Sequence, residues 1–143
     1  MSNELVQLVE EFFKVIESKD IEASLVYFSD NAEFIDPHYP NIHMKGKKEI
    51  EQGLTWGFKG LKKLGFTIEK TFYSADGKSL AVEVATAHEL PNGKALNFPQ
   101  AFIIEIEAGK ITRLQAYEPY GPHGIFKIIL AVTRFMNTML RKS

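Results

Sequence analysis

The chain has 143 residues, a formal net charge of −1 and no cysteine. This length suits one folded domain with a core of its own, which we expect to span residues 1–143. The lack of cysteine excludes disulfides, thiolate metal sites and cysteine nucleophiles, and the balanced charge argues against a nucleic-acid-binding surface. The first residues lack the regions of a signal peptide, and no stretch has the length and apolar character of a membrane span. We therefore expect a cytoplasmic protein that binds neither nucleic acid nor membrane.

Three helices are predicted in the first half of the chain. Apolar side chains recur at helical spacing over residues 3–18. Asp20 is well suited to cap a second, short helix that runs through Phe28. Gly46 begins a third helix with one apolar face.

A short strand and a loop are predicted between the second and third helices. Residues 31–36 have the character of a strand, and Pro37 ends it. Residues 37–45 predict a loop rich in proline, histidine and aromatic side chains. The loop places His38 and His43 near Asp36, an arrangement that imitates a metal site but matches no standard ligand spacing, so we expect a pocket rim and no metal.

From residue 66 onward, apolar and polar residues alternate with the period of a β-strand. Four strands joined by short glycine-containing turns are predicted, over residues 66–72, 80–88, 96–106 and 111–120. Consecutive strands joined in this way form an antiparallel sheet, so the predicted class is α+β. After a turn at residues 121–124, an amphipathic helix is predicted over residues 125–141.

Alternation along the strands predicts which polar side chains face inward. His88 continues an apolar face of its strand, Gln100 lies on the inward face of the next, and Glu118 lies inward near the sheet end. Each also has an ordinary structural interpretation: a buried histidine with its hydrogen bonds satisfied, a glutamine bonded to backbone, and a solvated strand end.

Several short motifs follow one another in a specific order: SKDIE at residues 18–22, YFSDNAEF at 27–34, IDP at 35–37 and KGKKEI at 45–50. With the four strands that follow, this order resembles the nuclear transport factor 2-like superfamily, and most closely its SnoaL-like and ketosteroid-isomerase-like branch. The resemblance covers residues 3–120. It implies a cone-shaped, curved antiparallel sheet wrapped on three N-terminal helices, a cystatin-like α+β barrel with an apolar pocket. Residues 122–141 are then an extra C-terminal helical extension.

The resemblance implies a cofactor-free isomerase or cyclase that moves a proton on an apolar carbonyl compound. Asp36 stands where ketosteroid isomerases place their proton-shuttling aspartate, although Asp-Pro is also ordinary turn chemistry. The isomerases' oxyanion tyrosine aligns near Phe12 and their protonated aspartate near Gln100, so steroid isomerisation itself is not expected. The polyketide-cyclase branch carries its acid/base aspartate late in the sheet, where Glu118 stands here.

The predicted site therefore has a catalytic set and a ligand-binding set. The catalytic residues are Asp36, His88, Gln100 and Glu118. The ligand-binding residues are Phe12, Phe34, Tyr39, Trp56, Val84, Phe98 and Phe102. The alternative is a non-catalytic binder of a hydrophobic ligand, or an accessory or interaction domain.

Two further expectations follow from the resemblance. A limonene-epoxide-hydrolase-like Asp–Arg–Asp set is not expected, because none of the arginines is predicted on the middle strands; they are Arg113, Arg134 and Arg141. Family members commonly pair through the open sheet face, so we expect a homodimer with Ile103 and Tyr117 at the interface. The C-terminal helix packs on the outer face of the sheet, covers the pocket mouth or joins the dimer.

Overall fold

The computed structural model of the chain describes residues 2–119 and 124–142. In chain order, its elements are α1 (Ser2–Glu17), α2 (Ile21–Leu25), β1 (Phe28–Ile35), β2 (His43–Lys45), α3 (Gly46–Gly60), β3 (Phe66–Tyr73), β4 (Ser79–Glu89), β5 (Ala95–Glu107), β6 (Lys110–Tyr117) and α4 (Ile125–Lys142). The predicted class, α+β with a curved sheet and a C-terminal helix, is confirmed. The predicted turn at residues 121–124 and the end of the last strand at Tyr120 fall largely outside the described residues.

The strands form one curved, unclosed sheet in the order β2-β1-β6-β5-β4-β3. Neighbouring strands are antiparallel except for β1 and β6, which run parallel. In the β1–β6 pair, Ile35 lies opposite Gln115. The carboxyl ends of these two strands therefore lie side by side, although they are far apart in the sequence.

The core lies between the helices and the concave face of the sheet. On α1, Val9, Phe12 and Phe13 are buried, and α3 contributes Ile50 and Leu54. The sheet contributes every second residue of its long strands, as the alternation of side chains across a strand requires. Burial of this apolar surface is the main force that holds helices and sheet together.

Two predictions about local structure are wrong. The second helix ends at Leu25 rather than at Phe28, because Phe28 instead pairs with Ile111 of β6 as the first residue of β1. The predicted loop after Pro37 contains the strand β2, which pairs with β1. This strand has only three residues, of which Met44 alone is buried, so its alternation is too short to predict a strand.

The helix α4 has the predicted bounds but contacts little of the molecule. It buries none of its residues, and none of them lines the cavity described below. Two of the three predicted placements, on the sheet's outer face or over the cavity of the same chain, are therefore wrong. Within the described residues, no helix is both long and apolar enough to span a bilayer.

Candidate active site

A cavity of about 550 Å³ lies between α1, α3 and the concave face of the sheet. Most of its lining side chains are apolar or aromatic. The predicted ligand-binding residues on its wall are Phe12, Phe34, Tyr39, Trp56, Phe98 and Phe102. Val84 is buried opposite Gln100 but does not line the cavity. All four predicted catalytic residues line this one cavity, so the structure brings the whole set together.

Asp36 follows the last residue of β1 and lies at the cavity with only 6% of its surface exposed. Its Oδ1 lies 2.9 Å from the backbone nitrogen of His38 and 2.7 Å from Nδ1 of the same residue. The first contact is the Asx-turn geometry expected of an Asp-Pro segment. Oδ2 accepts no hydrogen bond from the described residues, so this oxygen is the one free to meet a ligand.

His38 joins the two predicted carboxylates of the site. Its Nδ1 contacts Asp36, and its Nε2 lies 3.4 Å from Oε1 of Glu118, whose side chain is half exposed. The hydrogen bond to Asp36 raises the pKa of His38 above its usual value, and it outweighs the opposing effect of partial burial. A charged imidazolium donates from both ring nitrogens, which matches a position between two carboxylates.

The pKa of His88 is shifted in the opposite direction from that of His38. Burial and, to a smaller extent, the nearby His38 together lower the pKa of His88 to about 4. The backbone N–H of Gly65 donates to Nδ1 of His88 at 3.2 Å. Because Nδ1 accepts this bond, the neutral ring carries its proton on Nε2. His88 is therefore a neutral hydrogen-bond donor at neutral pH.

Aromatic rings hold both imidazoles in place. The ring of Phe98 lies 5.3 Å from that of His38 and 6.0 Å from that of His88, and Phe66 meets His88 edge-on at 5.0 Å. These rings shield part of each imidazole from water, which strengthens the electrostatic interactions among the polar groups.

Gln100 lies at the cavity and has an unpaired side-chain oxygen that is closed off from solvent. The residue is buried and lines the cavity, and its Oε1 has no hydrogen-bond partner among the described residues. A buried, unpaired carbonyl oxygen costs free energy unless another group donates to it.

Tyr39 adds a phenol to the wall of the cavity. Its ring packs edge-on against Phe34 and lies 5.8 Å from the ring of Trp56. Gly57 of α3 makes room for it, because a Cβ at that position would lie 3.1 Å from the Tyr39 hydroxyl. Burial raises the pKa of Tyr39, so the phenol stays protonated at neutral pH.

Residues 9–114, about three-quarters of the chain, match the SnoaL-like domain family. The chain belongs to the SnoaL-like domain family. Among curated proteins, none matches it in sequence.

Solved structures share the fold of this SnoaL-like protein. The Δ5-3-ketosteroid isomerase from Mycobacterium sp. is 21% identical, with a TM-score of 0.71 over 80% of this chain and 92% of that one. Rv0760c from Mycobacterium tuberculosis, in complex with estradiol-17β-hemisuccinate, is 20% identical, with a TM-score of 0.70 over 80% and 92% of the two chains. SalBIII, an epoxide hydrolase/cyclase-like enzyme of pyran ring formation in the polyether salinomycin, is 20% identical, with a TM-score of 0.70 over 82% and 93%. At these identities the likeness concerns the fold.

The sequence did not predict that His38 contacts both Asp36 and Glu118 in this SnoaL-like protein. It placed His38 on the pocket rim, where the structure has it, but did not connect it to Glu118, which is 80 positions further along the chain. The available signal was the spacing of an aspartate and a histidine around a proline. At that spacing, an Asx turn places the histidine side chain next to the aspartate carboxylate.

The expectation that no arginine lies on the middle strands of this SnoaL-like protein is wrong for Arg113. Its strand, β6, lies between β1 and β5. However, its side chain contacts Gln115, lies 3.8 Å from Glu105, and does not line the cavity. An Asp–Arg–Asp set therefore does not form around this arginine.

Proposed function

We propose that this SnoaL-like protein is an isomerase or cyclase that moves a proton on a small apolar carbonyl compound. The observation that carries the proposal is the buried Asp36, which lines an aromatic cavity and uses only Oδ1 in its hydrogen bonds with the described residues. A cavity of about 550 Å³ has the size of a small-molecule site. A base in such a site meets a carbon acid with little competing water.

The chemistry begins when Asp36 Oδ2 removes a proton from the carbon next to the ligand's carbonyl. The electrons of the broken C–H bond move into the carbonyl, which becomes an enolate. Nε2–H of His88 is the donor available to the enolate oxygen, and a neutral imidazole can serve as such an electrophile. In an isomerase Asp36 returns the proton to a different carbon of the ligand. In a cyclase the enolate carbon attacks a second carbonyl of the same molecule, the π electrons of that carbonyl move to its oxygen, and this oxygen takes the proton back from Asp36.

The remaining polar groups orient the Asp36 carboxylate, pass protons between the cavity and solvent, or bind the ligand. The imidazolium of His38 orients Asp36 through Oδ1 and leaves Oδ2 toward the ligand. The half-exposed Glu118 connects His38 with solvent, so a proton can pass between the cavity and water. Gln100 accepts a hydrogen bond from a ligand hydroxyl at the far side of the site.

The ligand class we favour is a cyclic, largely apolar ketone with at least one hydroxyl. The aromatic wall supports the apolar part, and the unpaired oxygen of Gln100 supports the hydroxyl. The Mycobacterium tuberculosis neighbour was crystallised with estradiol-17β-hemisuccinate, a largely apolar polycyclic compound that is not a ketone, so it supports only the cyclic, apolar part of this class.

The test measures hydrogen–deuterium exchange next to the carbonyl in a panel of cyclic β,γ-unsaturated ketones and poly-β-ketones, by mass spectrometry in D2O. Asp36→Asn is expected to lower the exchange rate by about 10²–10⁴-fold, the usual contribution of a general base. Asp30→Asn is the matched control, because Asp30 lies on the same strand with its side chain in solvent. Full exchange activity in Asp36→Asn would refute the assignment.

Binding is measured separately through Trp56, the only tryptophan of the chain. It lies half exposed at the cavity, so a ligand that enters changes its fluorescence. Saturable binding with no exchange for any ketone of the panel would replace the proposal with a non-catalytic binder.

We also propose that two copies pair through the outer face of the sheet. Ile103 and Tyr117 are exposed there on adjacent strands, which supports an apolar contact. Sedimentation equilibrium is expected to show a dimer that Ile103→Glu with Tyr117→Glu converts to a monomer. A dimer that survives both changes would refute this interface.

A further inference from the structure

The helix α4 exposes an apolar surface that no described part of the molecule covers. None of its residues is buried. Its large apolar side chains are each about half to three-quarters exposed: Ile125, Phe126, Ile128, Ile129, Val132, Phe135, Met136, Met139 and Leu140. A continuous apolar surface of this kind marks a place of contact with another molecule or with a lipid layer.

The side chains of α4 are sorted onto two faces. At 3.6 residues per turn, Ile125, Ile129, Val132 and Met136 fall along the middle of one side. We call this side, with the apolar residues that border it, the apolar face. The basic residues fall on the rest of the circumference: Lys127, Arg134, Arg141 and Lys142. An apolar face opposed by lysine and arginine is typical of helices that lie in a membrane interface.

Charge is separated between α4 and the rest of the chain. The whole chain has 17 basic and 18 acidic side chains. The helix holds four of the basic and none of the acidic ones. The remaining residues thus have 13 basic and 18 acidic side chains, a net charge of −5. An anionic surface would attract α4 and repel the rest of the molecule.

We propose that α4 binds this protein to an anionic lipid surface, with the helix lying in the plane of the membrane. The apolar face enters the boundary between headgroups and acyl chains. Lys142 borders that face and extends its long side chain to lipid phosphates, and the basic residues on the opposite side add to the attraction of the anionic surface. An anionic membrane uses both the apolar face and the basic residues of α4.

This proposal departs from the sequence-based expectation of no membrane contact. That expectation rested on the absence of a stretch long enough to cross a bilayer, and a helix that lies on the surface needs no such stretch. The proposal depends on α4 alone and is independent of the chemistry proposed for the cavity.

The test is flotation of the full chain with vesicles. One set contains phosphatidylcholine and phosphatidylserine in equal parts, and the other contains phosphatidylcholine alone. The protein is expected to float with the mixed vesicles at low salt, less so at high salt, and not with phosphatidylcholine alone. No flotation with the mixed vesicles, or equal flotation with both sets, would overturn the proposal.

Two double variants separate the contributions of the two faces. Arg134→Gln with Arg141→Gln is expected to weaken partitioning by about 25-fold, since each basic residue near an anionic surface contributes about fivefold. Ile128→Glu with Phe135→Glu is expected to abolish it. Both pairs are exposed, and an unchanged thermal midpoint verifies that the fold is intact.

Lys59→Gln with Lys70→Gln is the matched control, because it removes two exposed charges outside α4. It is expected to leave partitioning unchanged. If this control weakens flotation as much as the arginine pair does, net charge rather than α4 is responsible. If Ile128→Glu with Phe135→Glu dissociates a dimer in the absence of vesicles while the unaltered chain does not float, α4 is a contact between copies and the proposal fails.

Discussion

Asp36→Asn also provides a test of the electrostatics of the site that needs no substrate. Asparagine keeps an oxygen that accepts from the backbone nitrogen and Nδ1 of His38, but it removes the charge that holds His38 protonated. The folded protein raises the pKa of His38 above 6.5. Stability from this charged pair is therefore fully present below pH 6.5 and is lost as the pH rises through the raised pKa.

The magnitude follows from the two hydrogen bonds. A bond to a charged group contributes about 1.5–3 kcal/mol and a neutral one about 0.5–1.5, so the substitution weakens each bond by about 1 kcal/mol. The loss from weaker hydrogen bonding is present at every pH, whereas the attraction between the carboxylate and the imidazolium is lost only while His38 is charged. Because His38 is partly exposed, solvent screening limits this second part to about 1 kcal/mol or less. We expect a loss of about 1–2 kcal/mol near pH 6 and about 1 kcal/mol less near pH 9.

The assay is unfolding in guanidinium chloride at both pH values, with native and substituted protein compared at each. The difference in the free energy of unfolding between the two proteins at each pH cancels the pH dependence that they share. Glu33→Gln is the matched control, because it removes a second histidine–carboxylate contact, Glu33 with His43, which is exposed. We expect it to change the free energy of unfolding by less than about 1 kcal/mol. If Asp36→Asn lowers the free energy of unfolding by the same amount near pH 6 and near pH 9, the ion pair between Asp36 and His38 is refuted.

Three further predictions concern the cavity wall. NMR titration is expected to give His88 a midpoint of about 4, so stability falls as the pH drops from 6.5 toward that value; a midpoint at or above 6.5 would contradict the neutral donor. Gly65→Ala would place a Cβ 2.4 Å from the carbonyl oxygen of Ala87, so we expect a loss of about 1–3 kcal/mol in chemical unfolding and an upward shift of the His88 midpoint. An unchanged stability would show that the backbone yields there. Phe102→Ala is expected to cost about 3 kcal/mol or more, and the exposed control Phe72→Ala about 1 or less; equal losses would contradict the assigned core.

Local patterns in the sequence predicted the parts of the fold and site that depend on local geometry. Alternation along β4 and β5 placed His88 and Gln100 on the inner face, because successive side chains of a strand point to opposite sides. Asp20 caps α2 as expected, since its side chain accepts from the backbone nitrogen of Ala23. The place of Asp36 at the end of β1 followed from the proline after it.

Local patterns did not predict features that depend on contacts between distant segments. The parallel pairing of β1 with β6 has no trace in either strand alone, yet it brings Asp36 and Glu118 close enough for His38 to join them. The protonation of His88 likewise depends on the backbone N–H of Gly65, which only the folded chain brings to it.

The helix α4 shows the same division. The spacing of apolar residues predicted an amphipathic helix over residues 125–141, and the structure has it over Ile125–Lys142, because that property depends only on the periodicity of the chain. Only the tertiary structure decided that its apolar face stays uncovered, because burial requires a complementary surface elsewhere in the molecule. The sequence by itself thus determined the elements and the residues that face inward. The tertiary structure decided which distant groups meet, because pairing and burial depend on the shape of the whole fold.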